Sequence, residues 1–215
     1  MCRMVEREIC AFQIHGQDAP FEAVVLNRTS GEGLLRATGP VDCESQKEYT
    51  FVIQAYDCGA GPSGADWKKS HKAVVHIQVD DLNEFPPAFR ESEYKASVTE
   101  GRIYDSILQV EAWDQDCSPQ YSQICNYDIV TPGTPFAIDR NGQCWSVKLN
   151  SKRDYRIRNI RNTERLSYER QQSYVIMVTA FDCGQRSSEQ GVAVHIDVKP
   201  VCKSGWQGQS RRNAT

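Results

Sequence analysis

The sequence predicts an all-β chain of two tandem Greek-key β-sandwiches, and three observations lead to this class. A strand, loop, strand unit occurs twice, as YTFVIQAYDCG with KAVVHIQV and again as YVIMVTAFDCG with GVAVHIDV. In both copies apolar and polar residues alternate, which is the pattern of a strand with one buried face. No long segment has the 3.6-residue period of an amphipathic helix. Repeated β-sandwiches are therefore the simplest interpretation.

The first copy is predicted to span residues 1–84. It starts with the strand segment ICAFQI, and Pro20 and Phe21 follow. The next repeated strand is predicted to bury one apolar face, formed by Tyr49, Phe51, Ile53 and Ala55. The last strand alternates apolar and polar residues as VVHIQV and then runs into the acids of DDLNEFPP. We place the join between the two copies near residues 84–87.

The second copy is predicted to span residues 85–200, with residues 201–215 as a tail. It opens with EYKASVTEG and VEAWDQD, for which the first copy has no counterpart. ICNYDI then repeats ICAFQI, and Pro135 and Phe136 repeat the earlier Pro-Phe pair. The second repeated strand is predicted to bury the face formed by Tyr174, Ile176, Val178 and Ala180.

Two differences between the copies predict that this chain is compromised. The first copy lacks the opening strands of the second, which exposes a sheet edge and part of a core and favours aggregation. The second copy carries an insert at about residues 143–158, which holds Cys144 and five basic residues. The basic residues are Lys148, Lys152, Arg153, Arg156 and Arg158. The insert is predicted to be a solvated loop, with partner binding as the alternative.

Composition excludes several classes of function. The 25 Lys and Arg residues against 28 Asp and Glu leave a net charge of −3, which does not favour nucleic acid as a partner. No apolar run reaches the length of about 18 residues that a membrane span needs, and the first residues lack the apolar core of a signal peptide. No G-x-S-x-G, H-E-x-x-H or phosphate-binding glycine loop occurs, so we predict neither an enzyme nor a small-molecule substrate.

The cysteines predict an oxidising, extracellular setting. There are nine, and none forms the C-x-x-C pair of zinc or thioredoxin-like sites. Repeat symmetry makes Cys10 equivalent to Cys125 and Cys58 to Cys183. If equivalent positions act alike, each domain has one bridge, Cys10 to Cys58 and Cys125 to Cys183. A local Cys117 to Cys125 loop is the competing pairing, and a bridge between Cys43 and Cys117 is a further alternative.

One sequon points to the same setting. Asn27, Arg28 and Thr29 form a glycosylation signal, which predicts a glycan on a surface loop of a secreted protein. An unmodified loop asparagine is the alternative for a pattern as short as this one.

Acidic residues collect in four separate loop motifs and predict a cation site. They are VDCE, DLNE, WDQD and AFDCG, which contain Asp42, Glu44, Asp81, Asn83, Glu84, Asp114, Asp116 and Asp182. Calcium takes six to eight oxygen ligands and tolerates irregular geometry. If the sandwiches stack end to end, the four motifs meet at the junction. Without a cation the carboxylates would repel one another, so the linker is predicted to be a metal-bridged hinge.

These motifs carry a resemblance. D-x-N-E with a following Pro and Phe, V-D-x-E, A-W-D-x-D and A-x-D-x-G are similar to the calcium motifs of cadherin repeats. The stretches EICAFQIHGQDAPFEAVV, TSGEGLL, IQAYDCG, DCSPQYSQIC and KPVCKSGWQG resemble the calsyntenin family over nearly the whole chain. The resemblance implies two cadherin repeats followed by a laminin-G-like region, in a type I membrane protein of neurons. The parent protein is expected at the cell surface, at the postsynaptic membrane and in the secretory pathway. Its membrane attachment is expected in a part absent from this chain.

The family also implies a function and a ligand set. It implies cell adhesion, homophilic or with neurexin-like partners, and synapse organisation; a calcium-independent spacer is the alternative. The eight acidic-motif residues named above match cadherin calcium ligands, and Phe85 stands where an Asn usually contributes a main-chain carbonyl. The Glu of the first repeat's opening strand has no counterpart, so fewer or weaker calcium ions are expected. At the far end of the second repeat Glu100 and Glu169 keep family positions, but Ser167 replaces an Asp, and no calcium site is expected there.

Overall fold

The computed structural model of the chain describes residues 8–16, 19–58, 70–139 and 157–201. The chain divides into two compact units, Met1–Leu82 and Asn83–Thr215. Strands dominate both, and the single described helix has four residues. Among the described residues no helix is long and apolar enough to cross a membrane.

The described part of the first unit forms two small antiparallel sheets. Their strands are β1 (Ile9–His15), β2 (Phe21–Asn27), β3 (Glu32–Ala37), β4 (Glu48–Asp57) and β5 (Ala73–Gln78). One sheet has the order β1-β4-β5, and β2 pairs with β3 in the other. The Phe21 ring lies 5.2 Å from that of Tyr49 and 5.6 Å from that of Phe51, which joins β2 to β4.

The buried face of β4 differs from the prediction. Tyr49 and Phe51 are buried as expected, but Gln54 and Tyr56 are buried further along, while Ile53 and Ala55 are only half-buried. The predicted face is therefore wrong beyond Phe51. Burial of Gln54 is tolerated because its amide donates to the Ser70 carbonyl at 2.7 Å and it accepts a hydrogen bond from the Tyr56 hydroxyl at 3.4 Å.

The described residues of the second unit form two four-stranded sheets. Its elements are β6 (Ala88–Phe89), β7 (Glu93–Thr99), β8 (Leu108–Trp113), α1 (Pro119–Ser122), β9 (Ile124–Ile129), β10 (Phe136–Ile138), β11 (Ile157–Asn162), β12 (Ser173–Asp182) and β13 (Val192–Lys199). One sheet has the order β10-β11-β8-β6 and the other β7-β13-β12-β9. β7 runs parallel to β13, and all the other pairs are antiparallel.

Inward-facing residues of both sheets form the core of the second unit. Six Val and Ile side chains with no exposed area lie at its centre: Val110, Ile160, Ile176, Val178, Val194 and Ile196. The β12 face is buried as predicted at Ile176, Val178 and Ala180, and Tyr174 is half-buried. At about 1.5 to 3 kcal/mol for each fully buried aliphatic side chain, this core is the main source of the unit's stability.

The first unit buries less at equivalent positions. Val75 and Ile77 of β5 are half-buried, whereas their repeat equivalents Val194 and Ile196 are fully buried in β13. β7 covers the outer edge of β13, but within the described part of the chain no strand pairs with the outer edge of β5. The exposed edge expected from the sequence, and aggregation through it, both stay predictions.

The predicted insert ends earlier than expected. Residues 140–156 lie outside the described part, but Ile157 already begins β11. Arg158 is 4% exposed, and its guanidinium carbon lies 5.8 Å from the centre of the Tyr127 ring. Its assignment to a solvated loop is therefore wrong, because strand pairing and the aromatic ring hold its side chain inside.

The two units contain disulfides at equivalent positions of the repeat. Cys10 is bonded to Cys58, and Cys125 is bonded to Cys183. A Cys117 to Cys125 loop is therefore not formed. Cys43 and Cys117 are each disulfide-bonded as well. Cys2, Cys144 and Cys202 lie outside the described residues.

Candidate metal centre

Three aspartates come together at one end of the second unit. Asp114 and Asp116 lie in the loop after β8, and Asp182 is the last residue of β12. Carboxylate oxygens from all three lie within 4.8 Å of one another. Asp116 is 4% exposed and Asp182 is 1% exposed, so water screens these charges poorly.

The first residues of the unit bind this aspartate cluster. The Asn83 side-chain Nδ2 donates to Asp182 Oδ2 at 2.7 Å. The backbone N–H groups of Glu84 and Phe85 donate to Asp116 Oδ1 at 3.3 and 3.1 Å. Two of the three aspartates thus order the segment that precedes β6.

A tight turn after β12 shapes the site from the other side. Asp182 N–H donates to the Arg186 carbonyl at 3.0 Å, and Gln185 between them has a φ of +72°. A Cβ added at Gly184 would lie 2.4 Å from Asn83 Nδ2 and 2.7 Å from a ring carbon of Tyr121. Only glycine allows Asn83 and the Tyr121 ring to approach this turn so closely.

Electrostatics at the site favour a cation. Burial first, and then the charges of Asp116 and Asp182, raise the pKa of Asp114 to about 6, although a hydrogen bond from the Asp116 N–H opposes the shift. Three buried oxygens have no hydrogen-bond partner among the described residues: Asn83 Oδ1, Asp114 Oδ2 and Asp116 Oδ2. Buried polar atoms are normally paired, and one amide and two carboxylate oxygens are the donors that calcium takes. These residues fit a calcium ion.

The structure brings together four of the nine predicted ligands. These are Asn83, Asp114, Asp116 and Asp182. Phe85 is half-buried beside them, with its backbone N–H bound to Asp116, and Glu84 is exposed.

The remaining three candidates belong to the first unit, and their part in the site stays a prediction. Asp81 is half-buried after β5, and Asp42 and Glu44 lie in the turn before β4. Asp42 Oδ2 accepts from the Ser45 hydroxyl at 2.6 Å and its Oδ1 accepts from the Glu44 N–H at 3.0 Å. These hydrogen bonds, the one from Ser45 first, lower the pKa of Asp42.

Sequence reasoning missed three residues of this site: Tyr121, Gly184 and Arg186. Gly184 belongs to the AFDCG motif, but the prediction used only its aspartate. The one available signal was the repeated glycine after Asp-Cys, which marks a turn. Tyr121 and Arg186 left no local signal, because their roles depend on contacts with residues distant in sequence.

At the opposite end of the second unit, the Glu100 carboxylate accepts hydrogen bonds from the backbone. Glu100 Oε2 accepts from the Tyr168 N–H at 3.0 Å, and its Oε1 accepts from the Val201 N–H at 2.8 Å. Glu100 thereby ties the segment after β13 to the loop before β12. The prediction that no calcium site lies here stays a prediction, and these contacts give Glu100 a structural role.

Replacing Gly184 by Ala is expected to destabilise the second unit by about 1 to 3 kcal/mol, because the new methyl group overpacks the site. Asn83 would also have to leave Asp182. Urea unfolding of the oxidised chain measures the change. Gly39→Ala is the control, since its Cβ would lie 4.0 Å from its nearest neighbour, the Cβ of Pro20. Equal midpoints for both variants would contradict the prediction.

The fold and the aspartate cluster define a cadherin-type ectodomain. The Cadherin domain model matches residues 94–199, and the model of the calsyntenin immunoglobulin-like domain matches residues 2–81. The chain belongs to the calsyntenin family. The predicted fold class is confirmed, although the first sandwich matches an immunoglobulin-like description where the repeat resemblance predicts a cadherin one. Calsyntenin and cadherin domains are adhesion-type modules, so the prediction that the chain is not an enzyme is also confirmed.

Several curated calsyntenins are similar to the chain. Calsyntenin-2 of Danio rerio is 74% identical and calsyntenin-2 of Homo sapiens 67% identical, each over 205 residues, which is 95% of this chain and 20% of the relative. Calsyntenin-1 of Homo sapiens is 52% identical over 207 residues, which is 96% of this chain and again 20% of the relative. The chain thus spans about a fifth of the length of these relatives. The sequence motifs predict calsyntenin-3 in particular, and that finer assignment stays a prediction.

Solved cadherin ectodomains share the fold. Mouse protocadherin PcdhgC3 EC1-3 matches with a TM-score of 0.67 at 20% identity and covers 89% of this chain and 56% of that one. Mouse cadherin-23 EC22-24 matches with a TM-score of 0.63 at 19% identity and covers 89% of this chain and 53% of that one. At these identities the likeness concerns the fold alone.

Proposed function

We propose that the chain is a calcium-binding adhesion ectodomain in which the metal stiffens the connection between the two sandwiches. The observation that carries this proposal is the set of unpartnered buried oxygens beside the aspartate cluster, Asn83 Oδ1, Asp114 Oδ2 and Asp116 Oδ2. A buried carboxylate oxygen without a partner destabilises a fold, so the arrangement is best explained by a cation.

The proposed ligands of the second unit are Asn83, Asp114, Asp116 and Asp182, with the main-chain carbonyl of Phe85. Calcium, when bound, supplies the positive charge that compensates the converging carboxylates. Asn83 and the N–H groups of Glu84 and Phe85 keep the start of the unit on the aspartates. From their motifs we further propose that Glu84 and the first-unit residues Asp42, Glu44 and Asp81 complete the ligand set.

This proposal explains why acids follow β5. Metal ligands contributed by both sandwiches would turn a flexible linker into a fixed one, and a rigid pair of domains presents its surface to a partner at lower entropic cost. A passive spacer that binds no metal is the second candidate. The unpartnered oxygens of the aspartate cluster, together with the sequence motifs of Asp42, Glu44 and Asp81, favour the metal-bound connection over the spacer.

Small-angle X-ray scattering of the oxidised chain tests the proposal. With calcium the chain is expected to adopt a narrower range of conformations than with chelator. Asp81→Ala is expected to abolish that difference. Asp80→Ala is the matched control, because it removes the adjacent exposed carboxylate outside the motif. Identical scattering with calcium and with chelator would favour the spacer.

For the parent protein we propose adhesion at the neuronal cell surface and a role in organising synapses at the postsynaptic membrane, reached through the secretory pathway. Family membership supports this proposal. The proposed partners are proteins, either neurexin-like or a second copy of the same ectodomain.

We also propose that Asn27 carries an N-linked glycan. Its side chain is exposed at the end of β2, and its Oδ1 accepts from the N–H groups of Thr29 and Ser30 at 3.0 and 3.2 Å. Those bonds hold the amide oxygen and leave Nδ2 available for modification. Asn27→Gln and Thr29→Ala are each expected to increase the electrophoretic mobility of secreted protein by one glycan, whereas Thr29→Ser keeps the sequon and should not. Unchanged mobility in both loss variants would show that the site is unused.

A further inference from the structure

Arg186 contacts the aspartate cluster from the turn after β12 without being one of its acids. Its guanidinium donates to the Asn83 carbonyl oxygen at 2.6 Å. Its backbone N–H donates to Asp182 Oδ1 at 2.8 Å, and its carbonyl accepts from the Asp182 N–H at 3.0 Å. Arg186 is thus hydrogen-bonded to the Asp182 carboxylate and to the main chain of Asn83, both of which border the aspartate cluster.

The turn that carries Arg186 is held in a fixed conformation. Gln185 adopts a φ of +72°, in a region that non-glycine residues seldom occupy. The Gln185 N–H bonds to the Asp182 carbonyl, and the neighbouring Cys183 is covalently bonded to Cys125. Although the Arg186 side chain is exposed, its backbone therefore has a defined position relative to Asp182.

Asn83 is consequently anchored at two points. Its side-chain Nδ2 is bonded to Asp182 and its main-chain carbonyl to Arg186. With both groups held, its remaining side-chain oxygen, Oδ1, is buried and without a partner among the described residues. A residue ordered before its ligand arrives loses less conformational entropy on binding.

We propose that Arg186 is a positioning residue of the metal centre, which holds Asn83 in its ligand conformation without touching the metal. The inference rests on the proposed function. The sign of the effect is informative, because an exposed positive charge near a cation site weakens cation binding, although solvent and salt screen it. Loss of Arg186 would therefore strengthen calcium binding if its charge dominated and would weaken binding if positioning dominated.

Calcium titration of the full oxidised chain by isothermal calorimetry tests this proposal. Arg186→Met is expected to weaken calcium binding by about fivefold to tenfold, the loss that corresponds to one hydrogen bond of ordinary net strength. Arg186→Lys keeps a charged donor and is expected to restore part of the affinity. Arg165→Met is the control, since it removes an exposed arginine in the loop before β12, away from the turn. Unchanged or tighter binding in Arg186→Met would overturn the proposal.

Hydrogen exchange in chelator separates this inference from the proposed function. The Glu84 and Phe85 amides, which donate to Asp116, are expected to exchange faster in Arg186→Met than in the wild-type chain. If the wild-type chain binds no calcium, the proposed function fails, but faster exchange would still show that Arg186 positions this segment. Equal exchange rates would overturn the positioning role in either case.

Discussion

Calcium is expected to raise the melting temperature of the second unit by about 5 to 20 °C, and Asp114→Asn is expected to abolish that rise. Extracellular calcium modules bind with dissociation constants of about 10⁻⁴ to 10⁻³ M. At about 10 mM calcium, binding to the folded state alone then stabilises it by about 1.4 to 2.7 kcal/mol. For a domain of about 100 residues, each kcal/mol corresponds to about 4 to 8 °C.

The same substitution is expected to raise the melting temperature in chelator. Asp114 is surrounded by Asp116 and Asp182, and its pKa of about 6 means that its charged form is disfavoured in the folded, metal-free state. An uncharged Asn removes that repulsion. Scanning calorimetry of both chains, in calcium and in chelator, measures the two opposite effects. Asp105→Asn, an exposed acid at the other end of β8, is the control and should change neither.

The pH dependence in chelator has a defined sign. The pKa of Asp114 is raised in the folded state from 3.8 to about 6, so its proton stabilises the fold fully below about pH 4. That contribution is lost as the pH rises through 6. The wild-type melting temperature in chelator is therefore expected to fall, relative to that of Asp114→Asn, between about pH 4 and pH 6. If the difference in melting temperature between the wild type and Asp114→Asn stayed constant from about pH 4 to pH 6, titration of Asp114 would not be the cause.

Removing the Cys125–Cys183 bond is expected to have the largest effect on stability. The two residues are 58 positions apart, and closing a loop of that length stabilises a fold by about 4 kcal/mol on the chain-entropy model, within a usual range of about 2 to 5. The bond also ends beside Asp182, so its loss is expected to loosen the aspartate cluster. The double change Cys125→Ser with Cys183→Ser leaves neither thiol of this pair free to exchange.

Guanidinium unfolding monitored in chelator, so that calcium does not contribute, measures this loss. The matched control is Cys10→Ser with Cys58→Ser, which opens a bond of sequence separation 48 in the first unit. The control is expected to lower the transition of the first unit and leave that of the second unchanged. If the Cys125 and Cys183 changes left the second transition in place, the bond would have no stabilising role.

Strand periodicity made much of the fold predictable, and its failures have physical causes. The face of β12 followed the alternation because its inward side chains pack in one core with those of the second four-stranded sheet. In β4 the alternation failed after Phe51, where a hydrogen bond to Ser70 makes buried Gln54 acceptable. Arg158 looked like part of a basic loop but is buried against Tyr127, because its position depends on strand pairing.

The sequence by itself determined the all-β class, the two copies, the cysteine equivalences and the acidic residues that form the aspartate cluster, because each is a local or repeated pattern. The tertiary structure alone decided which oxygens remain without partners. Asn83 and Asp182 are 99 residues apart, and their bond exists only because the fold brings a β-strand end to the start of the unit. The roles of Gly184 and Arg186 have the same origin. They depend on distances between distant segments, which only packing sets.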